Sequence, residues 1–303
     1  MGMAKNSQRI VITGGSGFVG QWLQEELRAH GYLLDSWDRP EVDITDPSTY
    51  RTRLEQDQPA WVVHLAAVSS VALSWQDPAV TQRVNVEGTR ALLEAIQEVS
   101  PATHVLAIST ADIYGAVSER PLAELPLDDA RPNNPYAQSK WDMEQLIETA
   151  FSDRCIRVRP FPHIGPGQAK GFVTSDFASQ IAAIEKGIQE PIIRVGNLSA
   201  QRDFTDVRDV VRAYRLLLEK GEPGDVYHVA SGVPRSIQDI LDQLRSLTTV
   251  EIGVEPDPER QRPSDTPILV GDASKLKKQT GWMPEIGLGQ SLQDILDYWR
   301  EQI

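Results

Sequence analysis

Arg9-Ile10-Val11-Ile12-Thr13-Gly14-Gly15-Ser16-Gly17-Phe18-Val19-Gly20 is the stretch that decides the fold. Its first four residues form a short apolar strand. Phe18, Val19, Leu23 and Leu27 then recur at helical spacing up to Gly31, which suits a helix C-cap. Leu33-Leu34 opens a second strand that ends near Asp38. The glycines therefore occupy the strand-to-helix turn of a β-α-β unit. Glycine lets the backbone turn tightly and lets a pyrophosphate approach. The helix N-terminus offers that anion free N–H groups and a partial positive charge. A dinucleotide is expected against Gly14, Ser16, Gly17, Phe18, Val19 and Gly20.

Asp38 closes the second strand, where a carboxylate accepts from ribose hydroxyls and repels a 2′-phosphate. Arg39 follows directly, and a guanidinium there holds a 2′-phosphate instead. Both NADP and NAD thus stay open as cofactors. Asp43 either reaches the adenine or serves the turn before the next helix.

Alternation continues outward. Trp61 to Ala66 and His104 to Ser109 read as buried strands, with a long helix from Ala79 to Val99 between them. Tyr136 to Phe151 is a helix and Ile156 to Arg159 a strand. The expected fold is α/β: a doubly wound parallel sheet (Rossmann), with a second, smaller mixed α/β substrate lobe. The dinucleotide-binding domain is assigned to 1–161 and 203–231, and the lobe to 162–202 and 232–303. Helices are expected over Ser175 to Lys186 and Val207 to Lys220, a strand over Val226 to Val229, and two helices after Ser236.

Tyr136 and Lys140 are spaced i, i+4 and share a helix face. An ammonium beside a phenol favours the phenolate. The pair is therefore expected to trade a proton with a ligand.

Of the 303 residues, 40% are hydrophobic and 24% charged, and the formal net charge is −13. That balance argues against nonspecific binding to nucleic acid or to an anionic membrane. Cys155 is the only cysteine, so no internal disulfide and no thiolate metal cluster is expected. It reads as a buried small hydrophobe. No stretch is apolar enough to span a membrane and no signal-peptide core is present, so a cytoplasmic protein without a metal is expected.

The glycine turn, His64-Leu65-Ala66-Ala67, Asn85-Val86-Glu87-Gly88-Thr89, Ser109-Thr110-Ala111-Asp112-Ile113-Tyr114-Gly115 and the Tyr136/Lys140 pair occur in one order. Together they resemble the extended short-chain dehydrogenase/reductase family of nucleotide-sugar epimerases, dehydratases and reductases. The resemblance implies a catalytic triad of Thr110, Tyr136 and Lys140, a nucleotide-sugar substrate and a homodimer built on the helices 79–99 and 136–151. It implies cofactor contacts from Ile44, Leu65, Ala66, Ala67, Asn85, Phe161 and His163, and from Asp38, Arg39 and Asp43. Ser69, Asp112, Arg202 and Arg262 are implied substrate contacts, the two arginines at the diphosphate.

The second half is most similar to family members that reduce GDP-linked 4-keto-6-deoxy sugars. The carrying runs are His163 to Gln168, Arg202 to Asp209 and Arg262-Pro263-Ser264-Asp265. Phe161-Pro162-His163-Ile164 departs from the family pattern by placing proline where an amide contacts ligand. Thr110-Ala111-Asp112 lacks one of the two carboxyl groups that a glucose-type 4,6-dehydratase uses, which a reductase does not need. Asp112 is then either a contact to a sugar hydroxyl or a structural acceptor. A 4-epimerase or 4,6-dehydratase with tightly held, recycled NAD is the alternative.

Overall fold

The computed structural model describes residues 8–116, 121–257 and 266–303. The chain begins β1 (Arg9–Thr13), α1 (Phe18–Ala29), β2 (Leu33–Trp37), α2 (Arg51–Asp57) and β3 (Trp61–His64). Two short helices follow, α3 (Val71–Gln76) and α4 (Pro78–Gln82). The expected helix 79–99 is one run of helical backbone, but it is not α throughout. Its middle, Arg83–Glu87, is a π turn, and the α-helix resumes as α5 (Gly88–Val99). The apolar residues Val84, Leu92, Leu93 and Ile96 do not reveal such a turn, because only Val84 falls within it. β4 (His104–Ile108), α6 (Pro135–Ala150) and β5 (Cys155–Pro160) complete the first half.

β6 (His163–Ile164), α7 (Val173–Glu185), β7 (Ile192–Val195), β8 (Gln201–Asp203) and β9 (Thr205–Asp206) come next. They lead into α8 (Val207–Lys220) and β10 (Val226–Val229). The tail holds β11 (Pro234–Ser236), α9 (Ile237–Ser246), β12 (Gly253–Pro256), β13 (Ile268–Leu269), α10 (Ser274–Thr280) and α11 (Leu288–Gln302). Among the described residues it therefore carries three helices rather than two.

Six parallel strands form one sheet in the order β10-β5-β4-β3-β1-β2. One face is covered by α1 and α8, with Leu23, Leu27, Val210, Tyr214 and Leu217 on Ile10, Ile12, Leu106 and Val158. The other is covered by α2, α5 and α6, with Leu54, Leu92, Ile96, Met143 and Ile147 on Val11, Val62 and Val105. Cys155 is a free, fully buried thiol in this second layer. Helices on both faces bury the strands completely, which explains their unbroken apolar runs.

The remaining elements form a smaller unit around α7, α9 and α11, with Phe177, Ile181, Ile240, Leu244, Leu292 and Ile295 at its centre. Its short sheets are mixed: β8 runs antiparallel to β11 and parallel to β13. One part of the tail belongs elsewhere, since Leu276 and Trp282 pack into the core beneath the large sheet, against α8 and β10. The stretch 232–303 is thus shared between the two cores. Three aspartates of one run fasten them together. Asp203 accepts from the N–H groups of Ser231, Gly232 and Gly271. Asp206 caps α8 at Arg208 N and accepts from Ser291 Oγ, and Asp209 accepts from the N–H groups of Glu285 and Ile286.

Glu144 of α6 and Arg159 of β5 form a fully buried ion pair, with Glu144 Oε1 accepting from Nε at 2.9 Å and Oε2 from Nη2 at 2.8 Å. Arg159 Nη1 also donates to Tyr114 Oη and Leu125 O. Removing one member leaves an uncompensated buried charge. Arg159→Met is expected to cost about 3–5 kcal/mol, read as a large fall in thermal midpoint. Arg159→Met combined with Glu144→Leu should be more stable than the single variant; an equally unstable double variant would show that packing, not charge, sets the cost.

Candidate active site

The glycine turn is shaped by close contacts that side chains would block. Gly14 has φ +73°, and a Cβ there would meet Ala66 N at 2.9 Å. A Cβ on Gly20 would meet Gly14 O at 2.5 Å. No side chain caps the N-terminus of α1, so its first N–H groups face the opening. This cradle fits a pyrophosphate.

The turn is held from below by His64, which lies between Thr13 Oγ1 (2.8 Å from Nδ1) and Thr89 Oγ1 (2.9 Å from Nε2). Thr89 gives its proton to Asn85 O, so it accepts from the imidazole, and Nε2 carries the ring proton. Nδ1 then accepts from Thr13, whose oxygen accepts in turn from Ala66 N. Burial pushes the His64 pKa down to about 3, so the ring stays neutral.

A cavity of about 1400 Å³ runs along the carboxyl ends of β1 to β5 and under the smaller unit. It exceeds the usual volume for one small ligand, and suits a dinucleotide with a second nucleotide beside it. Gly14, Ser16, Gly17, Phe18, Val19, Gly20, Asp38, Arg39, Asp43, Ile44, Leu65, Ala66, Ala67, Phe161 and His163 line it, as do Ser69, Thr110, Asp112, Tyr136, Lys140 and Arg202. Pro162 lines it as well, and its carbonyl accepts from Thr205 N. Arg262 lies outside the described residues.

Asn85 is a correction. It is buried and does not line the cavity. Its Oδ1 accepts from Val68 N at 2.8 Å, and its Nδ2 donates to Val68 O and Ser139 Oγ. Ser139 Oγ donates to Tyr136 O. Asn85 thus ties the loop after β3 to the first turn of α6. Asp43 does turn chemistry, accepting from Thr45 N and Oγ1, while also standing on the cavity wall. His163 lies parallel to the Phe18 ring, centroids 6.3 Å apart.

Asn134 caps α6 by accepting from Ala137 N, with Pro135 in its first turn. Tyr136 N donates to Ser74 Oγ of α3. Tyr136 is half-buried, opening to the cavity, and one turn later Lys140 is buried with Nζ donating to Ile108 O at 2.6 Å. Lys140 does not dominate the phenol. Burial first, then the charge of Asp112, raise the Tyr136 pKa, and the Thr110 hydroxyl opposes them. The expected phenolate is therefore a neutral phenol here, because the spacing conveys proximity to the ammonium but not the cost of desolvating the charged form. Burial also raises the Asp112 pKa, with Arg202 opposing, and lowers that of Arg202, with Asp112 opposing. Tyr136, Asp112 and Arg202 thus form one electrostatic row along the cavity. Sequence reasoning missed Ser74, Ser139 and Thr89, whose contacts come from distant elements and leave no spacing signal.

The family model for GDP-mannose 4,6 dehydratase matches residues 38–295. The GDP-6-deoxy-D-mannose reductase of Pseudomonas aeruginosa is 38% identical over 98% of this chain and 99% of its own. A GDP-mannose 4,6-dehydratase of Vibrio cholerae is 30% identical over 96% of this chain and 93% of its own. The solved structure of RMD from Pseudomonas aeruginosa complexed with NADPH superposes with a TM-score of 0.90, at 36% identity, covering 98% of this chain and all of that one.

Lys140 gives the site a pH signature. Burial lowers its pKa from 10.5 to about 8, partly offset by Glu144. Below that value the folded and unfolded chains both hold the proton and the full cost of burying the charge is present. Between about 8 and 10.5 the folded chain sheds the proton that the unfolded chain keeps, so stability rises with pH. Relative to Lys140→Met, the wild-type chain should gain up to about 3 kcal/mol over that window. Urea midpoints at both ends of the window measure it; a constant difference would contradict it.

Proposed function

The chain belongs to the GDP-mannose 4,6 dehydratase family, within the extended short-chain dehydrogenases/reductases, and from that premise we propose that this NAD(P)-dependent oxidoreductase reduces the 4-keto group of GDP-4-keto-6-deoxy-D-mannose. The product is then GDP-6-deoxy-D-mannose, that is GDP-D-rhamnose. The observation that carries the reading is a single carboxyl, that of Asp112, beside Tyr136 on the described cavity wall. Reduction of a ketone needs one acid at the carbonyl oxygen. Elimination of water needs an acid and a base of different proton affinity, and Asp112 alone does not supply both.

The cradle at Gly14 and Gly20 and the uncapped α1 fit a dinucleotide pyrophosphate. When bound, the reduced nicotinamide supplies the hydride that goes to the carbonyl carbon. Tyr136 gives its phenolic proton to the carbonyl oxygen, which becomes the alcohol. Thr110 donates a hydrogen bond to that oxygen and so fixes the ketone against Tyr136. The phenolate left behind is stabilised by the ammonium of Lys140, one turn away on α6. Arg202 takes the diphosphate, and Asp112, between Arg202 and Tyr136, accepts from a ring hydroxyl of the sugar. Ser69 sits on the same wall. A homodimer through the helices 79–99 and 136–151 and a cytoplasmic setting belong to the same reading.

The family model's own description favours a second reading, a dehydratase that recycles its cofactor. The two separate by stoichiometry. Purified protein with the keto sugar should oxidise one NADPH or NADH per 6-deoxyhexose formed; turnover of GDP-mannose without net cofactor change would establish the dehydratase instead. Tyr136→Phe should lower kcat by about 10²–10⁴ and leave cofactor affinity unchanged. Asp112→Asn removes a charge that raises the Tyr136 pKa, so the alkaline limb of kcat against pH should move to lower pH. A limb that stays in place would remove Asp112 from the proton chemistry.

A further inference from the structure

In the reading above, the dinucleotide and the sugar are held by different parts of the molecule. The glycine turn and α1 take the first, while Arg202 and the smaller unit take the second. Hydride donor and ketone meet only if those two parts keep one fixed distance. On the α8 side, Asp203, Asp206 and Asp209 help to fix it. On the α1 side the link is a strap, 165–172, between β6 and α7.

The strap starts against α1. A Cβ on Gly165 would meet Val207 Cγ1 at 2.5 Å and Phe18 Cζ at 3.5 Å, so the backbone there passes closely between α1 and α8. Trp22 stands one turn after Phe18 on the same face of α1. Its indole Nε1 donates to Pro166 O at 3.0 Å. The ring is half-buried, with the Arg208 guanidinium 5.8 Å from its centre. Arg208 is itself held by Asp206 and by Asp294 of α11. Trp22 does not line the cavity.

The strap carries this hold into the smaller unit. Gln168 is buried in its middle, with Nε2 donating to His163 O at 3.0 Å and Oε1 accepting from Thr174 Oγ1. Its carbonyl accepts from Ser175 Oγ at 2.9 Å. One residue thus joins β6 to the first turn of α7. Gly171 N donates to Asp176 Oδ1 at 2.7 Å, and the Lys170 ammonium lies 5.3 Å from the centre of the Trp299 ring on α11. Gln168, Ala169, Gly171 and Phe172 line the cavity. A segment braced this closely passes a shift at Pro166 on to the cavity wall. A half-buried indole needs some acceptor; here the acceptor belongs to the element that joins the two binding halves.

We propose that Trp22 is a positioning residue: by holding Pro166 O it sets the smaller unit against α1 and so aligns the ketone with the hydride donor. It acts through the strap and touches neither ligand. The proposal rests on the reductase reading above. It is tested on the full chain with Trp22→Phe, which keeps an apolar ring and removes the N–H. With both ligands saturating, kcat should fall about tenfold to a hundredfold, while KM for the keto sugar changes by less than about twofold. Misalignment slows the hydride step itself. The primary isotope effect on kcat, read with NADPH deuterated at the transferred position, should therefore be at least as large as in the wild-type chain. NADPH affinity by calorimetry and the thermal midpoint should stay near their wild-type values. An unchanged kcat, a smaller isotope effect, or a higher KM at constant kcat would overturn the proposal. So would a lower thermal midpoint with equal losses of binding and turnover, the mark of a merely structural residue. A wild-type chain that oxidises no cofactor with the keto sugar would overturn the reductase reading, and this proposal with it.

Discussion

A lysine that carries charge inside the protein governs the architecture around the reacting end. Lys140 cannot stay protonated there on the strength of Ile108 O alone. One turn on, Glu144 supplies the opposing charge, and that carboxylate would itself be intolerable without Arg159. Arg159 needs further acceptors and finds them in Tyr114 and Leu125. Tyr114 Oη meets His228 Nε2 at 2.6 Å, which carries the chain of partners to β10 at the sheet edge. Burial and the positive charge of Arg159 push the His228 pKa down to about 3, so that end of the chain is neutral. The result is a rigid polar spine behind a site whose front is open.

How much of this was legible in the residues depends on what kind of interaction carried it. Local signals read well. The apolar run before Gly14 and the helix over Val207–Lys220 lie where spacing put them, because period and turn chemistry act over a few residues. The cavity-lining residues are legible for the same reason: they cluster at strand ends, and strand ends are visible. Long-range hydrogen bonding is not. Asn85 stands in a motif that suggests ligand contact, yet it holds Val68 and Ser139, partners no spacing could name. The π turn hides within a continuous apolar stripe. Helix α10 has too few apolar residues to announce itself and exists because Leu276 finds the core under the large sheet.

Three carboxylates of one run help to hold the two hydrophobic cores together. Asp203, Asp206 and Asp209 each accept from backbone or side-chain donors of the tail, so the run that carries Arg202 is pinned on both sides of the cleft. An arginine on such a run is placed before any ligand arrives. Preorganisation of this sort lowers the ordering cost of binding.

Cys155 has an unrelated consequence. Its thiol is completely buried and burial pushes its pKa up to about 12, so it is inert towards alkylating reagents while the chain is folded. A cysteine introduced on the surface would therefore be the sole reactive thiol in a native sample. Trp75, exposed at the cavity wall, offers one such position. The native sequence is already a background-free scaffold for attaching a fluorophore or spin label beside the binding groove.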